Sequence, residues 1–245
     1  MNALNQWISG INLDRIVEWL VFAAAALLAI SVHESSHALS ALWLGDDTGK
    51  RMGRISLNPL RHLDPVGFVM MVVAHFGWAK PVMVDSRRFK NQKLGMALTA
   101  LAGPVSNVLL ALIFGFAYLL SFRLAPRSVQ VDWYLFLVGG VSSGSSGVLF
   151  YLIRFFMAGL VLNSGLAVFN LIPVPPLDGS KILAIILPDR TYAKLMRYER
   201  YGMLILIALL FTGVLDKPLN TLVSGLMDGV ISVARPLAEA VAGLF

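Results

Sequence analysis

The sequence contains no cysteine, which excludes disulfides and thiolate metal sites. Charge is scarce as well. Asp, Glu, Lys and Arg make up 14% of 245 residues, against about a quarter in ordinary soluble domains. So few charges cannot cover a soluble globule of this size. With 57% hydrophobic residues and a mean hydropathy of +0.74, the apolar residues arrive in long runs suited to lipid. This composition argues against a soluble enzyme, a disordered chain and a nucleic-acid binder. A basic start followed by a short apolar core is missing too, since Asp14, Arg15 and Glu18 fall within the first twenty residues, so no cleavable signal peptide is expected. The net charge of +6 then reports loop orientation and anionic lipid.

What is present is a series of candidate membrane helices, each needing about 20 residues to cross. The first covers roughly 16–44 and ends at Gly45-Asp46-Asp47, residues that stop a helix. Residues 66–76 are apolar but too short to span, and read as a segment that enters the membrane and returns. A second span covers roughly 95–122, where Gly103-Pro104 should kink the helix or start a new one. Residues 133–147 are ambiguous and end in a Gly/Ser stretch, 139–147, most simply a flexible loop. Residues 148–172 form another span. A basic interfacial helix over Pro188 to Arg200, an apolar helix over Gly202 to Leu215 and a more amphipathic one over 219–245 complete the chain. The expectation is an all-α polytopic membrane protein, a single domain over 1–245, with roughly five to six membrane helices and a re-entrant segment after the first.

Three basic clusters set the orientation: Lys50, Arg51, Arg54 and Arg61; Arg87, Arg88, Lys90 and Lys93; and Arg190, Lys194, Arg197 and Arg200. If all face the cytoplasm, the first span runs from outside to inside. Residues 66–76 must then be re-entrant.

Chemistry concentrates in His33-Glu34-Ser35-Ser36-His37, an H-E-x-x-H pattern. Residues four apart share a helix face, so His33 and His37 can offer two imidazole nitrogens to one Zn²⁺. Glu34, beside that face, can serve as general base toward a metal-activated water. Two satisfied structural histidines are the alternative. Location favours the metal, because an ionised carboxylate at mid-bilayer costs about 2.5–3.5 kcal/mol on insertion scales. A divalent cation accounts for all three side chains. A catalytic zinc takes a third protein ligand, and Asp178 is the best candidate. It closes the proline-dense stretch Asn170-Leu171-Ile172-Pro173-Val174-Pro175-Pro176-Leu177-Asp178-Gly179; alone it would read as a helix cap, and beside His33 and His37 the ligand reading is favoured.

These residues resemble the site-2 protease family of intramembrane zinc metalloproteases, most nearly its compact bacterial members without PDZ or CBS domains. The resemblance covers roughly residues 30–215. It rests on His33 to His37, on Leu57-Asn58-Pro59 with His62 and Asp64, on Gly77 to Val82, on Gly103-Pro104-Val105-Ser106-Asn107 and on Asn170 to Gly179. It implies one zinc per chain held by His33, His37 and Asp178, with Glu34 as catalytic base. It also implies a single-pass transmembrane protein or peptide as substrate and a multi-pass place in the cell membrane. A membrane-embedded β-hairpin is implied as well, for which residues 53–84 are the available stretch, with an ordinary loop as the alternative.

Asn170 and Asn107 are candidates for a transition-state or substrate contact, with an interhelical hydrogen bond as the competing role. His62 reads as a structural hydrogen-bonding residue, and His75 as a lining of the hairpin. Arg154 either snorkels or pairs with a carboxylate from another helix. Access for water is expected from the cytoplasmic side. Rival enzymes fit poorly. Gly144-Ser145-Ser146-Gly147 matches the rhomboid G-x-S-G, but no histidine follows it. Gly45-Asp46-Asp47 does not supply the G-x-G-D of aspartyl intramembrane proteases. The remaining alternative is a non-proteolytic membrane zinc-binding protein or transporter.

Overall fold

The computed structural model describes residues 13–67, 80–125, 147–197 and 199–244. Among these residues the regular structure is helical, with no β-strand. Helix α1 runs Leu13–Trp43. Its uncharged stretch Val21 to Ile30 is rich in alanine and leucine, the strongest helix formers. Gly45, at φ 108°, turns the chain out of it. Short helix α2 (Thr48–Arg51) follows. A 3₁₀ turn at Pro59–Arg61 is capped by Asn58, whose side chain accepts from the Leu60 amide. The Asp64 carboxylate accepts from the amides of Val66 and Gly67 at 3.0 and 2.8 Å, the cap expected of Asp64-Pro65.

Helix α3 spans Gln92–Leu124, capped by the Asn91 side chain. After it come α4 (Val148–Asn170), the short α5 (Asp178–Ile182), α6 (Asp189–Arg197), α7 (Glu199–Phe211) and α8 (Asp216–Ala242). Three helices are long and apolar enough to cross a membrane: Ile16–Trp43, Gln92–Leu124 and Val148–Asn170. A fourth crossing results if Leu204–Phe211 and Asp216–Ala242, bent by 90° at their break, count as one broken span. The described residues therefore support three or four spans where five to six were expected. The ambiguous 133–147, all but Gly147 of its Gly/Ser stretch, most of the re-entrant 66–76 and His75 lie outside the described residues.

Of the two outcomes expected at Gly103-Pro104, the start of a new helix is not observed: α3 continues through Pro104 to Leu124. Proline removes only the amide that would bond one carbonyl a turn earlier. Gly103 and Pro104 are buried against the neighbouring helices, where packing holds the helical path that proline weakens locally.

Helices α1, α3 and α4 pack against one another, and α8 lies against α3 and α4. Ala111, Phe114, Leu160 and Val230 form the shared core of α3, α4 and α8. The Phe114 ring fits where Gly159 has no side chain, since a Cβ there would lie 2.4 Å from it. Such close approach over small residues is how membrane helices gain packing energy without a hydrophobic driving force. Large apolar side chains such as Leu109 and Ile113 face outward, toward what would be lipid.

Two polar clamps position the segments around the core. Asp46, fully buried, accepts from the amides of Thr48 at 3.0 Å and Asp85 at 2.7 Å. It thereby ties the turn after α1 to the chain just before α3. Arg54, also buried, donates to the carbonyls of Arg61 and Lys80. The Lys80 amide donates back to the His62 carbonyl at 2.7 Å. The stretch Pro81 to Val84, which has no regular secondary structure, is thus fixed at both ends.

Candidate metal centre

On α1, the i, i+4 spacing places the rings of His33 and His37 together, with centroids 4.6 Å apart and planes at 89°. Helix α3 supplies the surface they rest on. Thr99, Gly103 and Asn107 lie four residues apart and so share one face of α3. The Thr99 carbonyl accepts from His37 Nδ1 at 2.7 Å. Asn107 Oδ1 lies 2.5 Å from His33 Nδ1. Between them, Gly103 leaves room for both rings, since a Cβ there would come within 2.5 Å of Cε1 of each.

The third group arrives from the far end of α4. The helix stops at Asn170, and Ile172 to Leu177 runs as turns, with a cis bond between Pro175 and Pro176. Asp178 opens α5. Gly179 is pressed against the carbonyls of Leu171 and Ile172, at 2.3 and 2.4 Å from an added Cβ, so this return path requires glycine. The result places Asp178 Oδ2 at 3.2 Å from His33 Nε2 and 3.1 Å from His37 Nε2. The two Nε2 atoms are 3.0 Å apart. The Lys181 ammonium lies 3.7 Å from Asp178 Oδ1.

This triangle tests whether a metal fits. Both Nδ1 atoms face oxygen acceptors, so each neutral imidazole keeps its Nε2 lone pair inward. Two lone pairs and a carboxylate oxygen then converge, an arrangement that calls for a cation at its centre. Zinc–nitrogen bonds of about 2.0–2.1 Å at tetrahedral angles would set the ligand atoms roughly 3.3 Å apart. The observed spacings need only a small adjustment. Among the described residues, His33, His37 and Asp178 are the one group of at least three such side chains able to share an ion. All three are buried.

The centre opens on a cavity of about 300 Å³ whose wall includes Glu34, Asn170, Lys181 and Val82 to Val84. Glu34 is half-buried beside the ligands. Asn170 donates Nδ2 to the Leu166 carbonyl at 3.0 Å and borders the cavity. Asn107 does not border it. It lies fully buried behind His33, with Nδ2 donating to Asn163 Oδ1 at 2.7 Å. His62, fully buried, donates Nε2–H to the Ser56 carbonyl at 2.7 Å. Ser35 of the H-E-x-x-H turn donates to the same carbonyl at 2.6 Å, so His62 braces the loop against α1, the structural role expected of it.

Four contributors escaped the sequence reading: Thr99, Asn163, Lys181 and the steric role of Gly103. Asn163 did carry a signal, being a polar amide inside an apolar span. Lys181 did as well, one helical turn after Asp178. Thr99 acts through its backbone, which no side chain announces.

The model of Peptidase family M50 matches residues 21–213. "Putative zinc metalloprotease YwhC" of Bacillus subtilis is 38% identical over 186 residues, covering 76% of this chain and 78% of its own. "Putative zinc metalloprotease Rip2" of Mycolicibacterium smegmatis is 27% identical over 206 residues, covering 81% of this chain and 70% of its own. The Rip2 protein of Mycobacterium tuberculosis is 27% identical over 249 residues, covering 96% and 84%. No solved structure gives a significant match.

Proposed function

Because this chain belongs to peptidase family M50, the site-2 protease family, we propose that it is an intramembrane zinc metalloprotease that hydrolyses peptide bonds in or near transmembrane segments of single-pass membrane proteins. The observation that carries the reading is the convergence of His33, His37 and Asp178 beside Glu34 on one cavity wall. Residues 1–245 act in it as one membrane-embedded domain.

His33 and His37 would hold one zinc per chain through Nε2, and Asp178 through Oδ2. Bound there, zinc supplies a Lewis acid that makes water nucleophilic near neutral pH. Glu34 takes the proton of the attacking water and passes it to the leaving amine. Asn170, on the cavity wall, is placed to donate to the oxyanion that develops on the scissile carbonyl. Asn107 is reassigned from substrate contact to support of His33, because it faces the ring and lies outside the cavity.

A helical substrate hides its peptide bonds in its own hydrogen bonds, so it must unwind before attack. Pro81 to Val84, which line the cavity, are the proposed edge that takes up the unwound strand by β-addition. Proline in that stretch limits its length as an edge. The basic segments Lys50 to Arg61, Arg87 to Lys93 and Arg190 to Arg200 support a plasma-membrane protein whose cavity mouth opens toward the cytoplasm.

The test is reconstitution in detergent with a model single-pass peptide. The parent chain is expected to bind one zinc and to cut the peptide within or beside its apolar stretch, read by product mass. Glu34→Gln should keep the zinc and lose cleavage. Cleavage surviving in Glu34→Gln, or zinc flux through vesicles carrying that variant, would overturn the reading.

A further inference from the structure

A polar side chain inside an apolar span is expensive and asks for a reason. Asn163 on α4 is fully buried, as is Asn107 on α3, and neither borders the cavity. Their hydrogen bonds form a chain whose direction is fixed from its far end.

Asn163 Nδ2 donates to the Gly159 carbonyl, one turn earlier, at 2.7 Å. A carbonyl can only accept, so the Asn163 amide must present Oδ1 at its other end. Asn107 Nδ2 donates to that oxygen at 2.7 Å. The same nitrogen reaches the Ala29 carbonyl at 3.5 Å, again an acceptor. Asn107 is left with Oδ1 toward His33 Nδ1, at 2.5 Å. An oxygen acceptor at that place requires a proton on Nδ1. In a neutral imidazole the lone pair is then on Nε2, the atom that faces His37 and Asp178.

We propose that Asn163 is a positioning residue that acts through Asn107 to hold His33 in the Nδ1–H tautomer, with its Nε2 lone pair free for the metal. The inference rests on the reading of His33 as a metal ligand. An asparagine amide can turn over at almost no steric cost, because its oxygen and nitrogen are nearly the same size. Turned over, Asn107 would offer N–H to His33 Nδ1 and select the Nε2–H form, which has no lone pair for a metal. Asn163 prevents this, because a turned amide would set two oxygens against each other. The Ala29 carbonyl at 3.5 Å is too distant to do the same alone. His37 needs no such chain, since its acceptor is the fixed backbone carbonyl of Thr99.

The test uses the full chain in detergent. Zinc affinity is read by chelator competition, and coordination by the absorption spectrum of the Co²⁺-loaded protein. Asn163→Leu, of similar volume, should weaken zinc binding about 10- to 100-fold, the range found when outer partners of a metal ligand are removed, and should alter the Co²⁺ spectrum. A carboxylate at 107 accepts with either oxygen and needs no lock. In Asn107→Asp, however, one of those oxygens faces Asn163 Oδ1. Adding Asn163→Leu to Asn107→Asp should therefore strengthen zinc binding, reversing its effect in the parent. Equal weakening in both backgrounds would show a merely structural role for Asn163 and overturn the proposal. So would unchanged affinity and spectrum in Asn163→Leu. His33→Ala separates the underlying reading: if it binds zinc as the parent does, the ligand assignment itself fails. If it loses zinc while Asn163→Leu does not, only the positioning role fails.

Discussion

Arg154 of α4 and Glu18 of α1 meet at 3.1 Å with both side chains almost wholly buried, and the guanidinium carbon lies 5.4 Å from the centroid of the Phe150 ring. Of the two roles open to Arg154 in the sequence, pairing across helices is the one it takes. Neither charge could remain alone among these apolar helices, so the pair also selects how α1 and α4 are set against each other. Removing one partner of a buried pair costs about 3–5 kcal/mol. Arg154→Met is expected to lower thermal stability in detergent by that order, and adding Glu18→Leu should recover most of it. Equal stability of Arg154→Met and the parent would show that the pair contributes nothing.

Gly103 decides how closely α3 approaches the histidines. Alanine is the better helix former by about 1 kcal/mol, so Gly103→Ala should not weaken α3 itself. Its methyl group would instead fall 2.5 Å from Cε1 of both rings and push them off the shared metal position. The expected result is a folded protein with at least tenfold weaker zinc binding, measured as bound zinc per chain after dialysis against a weak chelator. Full zinc retention would contradict it.

Much of this centre was legible in the sequence because its chemistry follows short-range rules. The four-residue spacing of His33 and His37 is a property of any helix, and Asp178 stood at the end of a proline stretch that cannot be helical. Pro104 was harder to read for the opposite reason. Its local cost left a kink and a new helix both open, and α3 continues through it, buried against neighbouring helices. The tie from His37 to the Thr99 carbonyl was invisible because every residue has such a carbonyl. The chain from Asn163 to His33 joins three separate helices, which only their packing brings together.

Asp46 offers a test of the segment bordering the cavity. Its carboxylate accepts from the amides of both Thr48 and Asp85, and Asp85 follows directly on Val84. Hydrogen bonds to a charged group contribute about 1.5–3 kcal/mol. Asp46→Ala should destabilise the protein by roughly that amount and raise KM for a transmembrane peptide more than it lowers kcat, with zinc content unchanged. Loss of zinc in parallel would place Asp46 in a different role.

Metal removal should be felt by the whole fold, because the three proposed ligands join α1 to the turn after α4. A ligand at one hundred times its Kd stabilises the folded form by about 2.7 kcal/mol. Stripping zinc with a chelator should lower the unfolding temperature, and adding zinc back should restore it. Asp178→Asn keeps the shape of the side chain and loses its charge, so its unfolding temperature should respond little to zinc. An undiminished response would remove Asp178 from the ligand set.

The order in which the ligands appear along the chain has a consequence for biogenesis. His33 and His37 emerge early from the ribosome, whereas Asp178 follows only after the helices ending at Asn170 have been made. If these three side chains hold the metal as proposed, a nascent chain lacks the last of them until residue 178 has been made, and the centre cannot be complete before α1, α3 and α4 are all present.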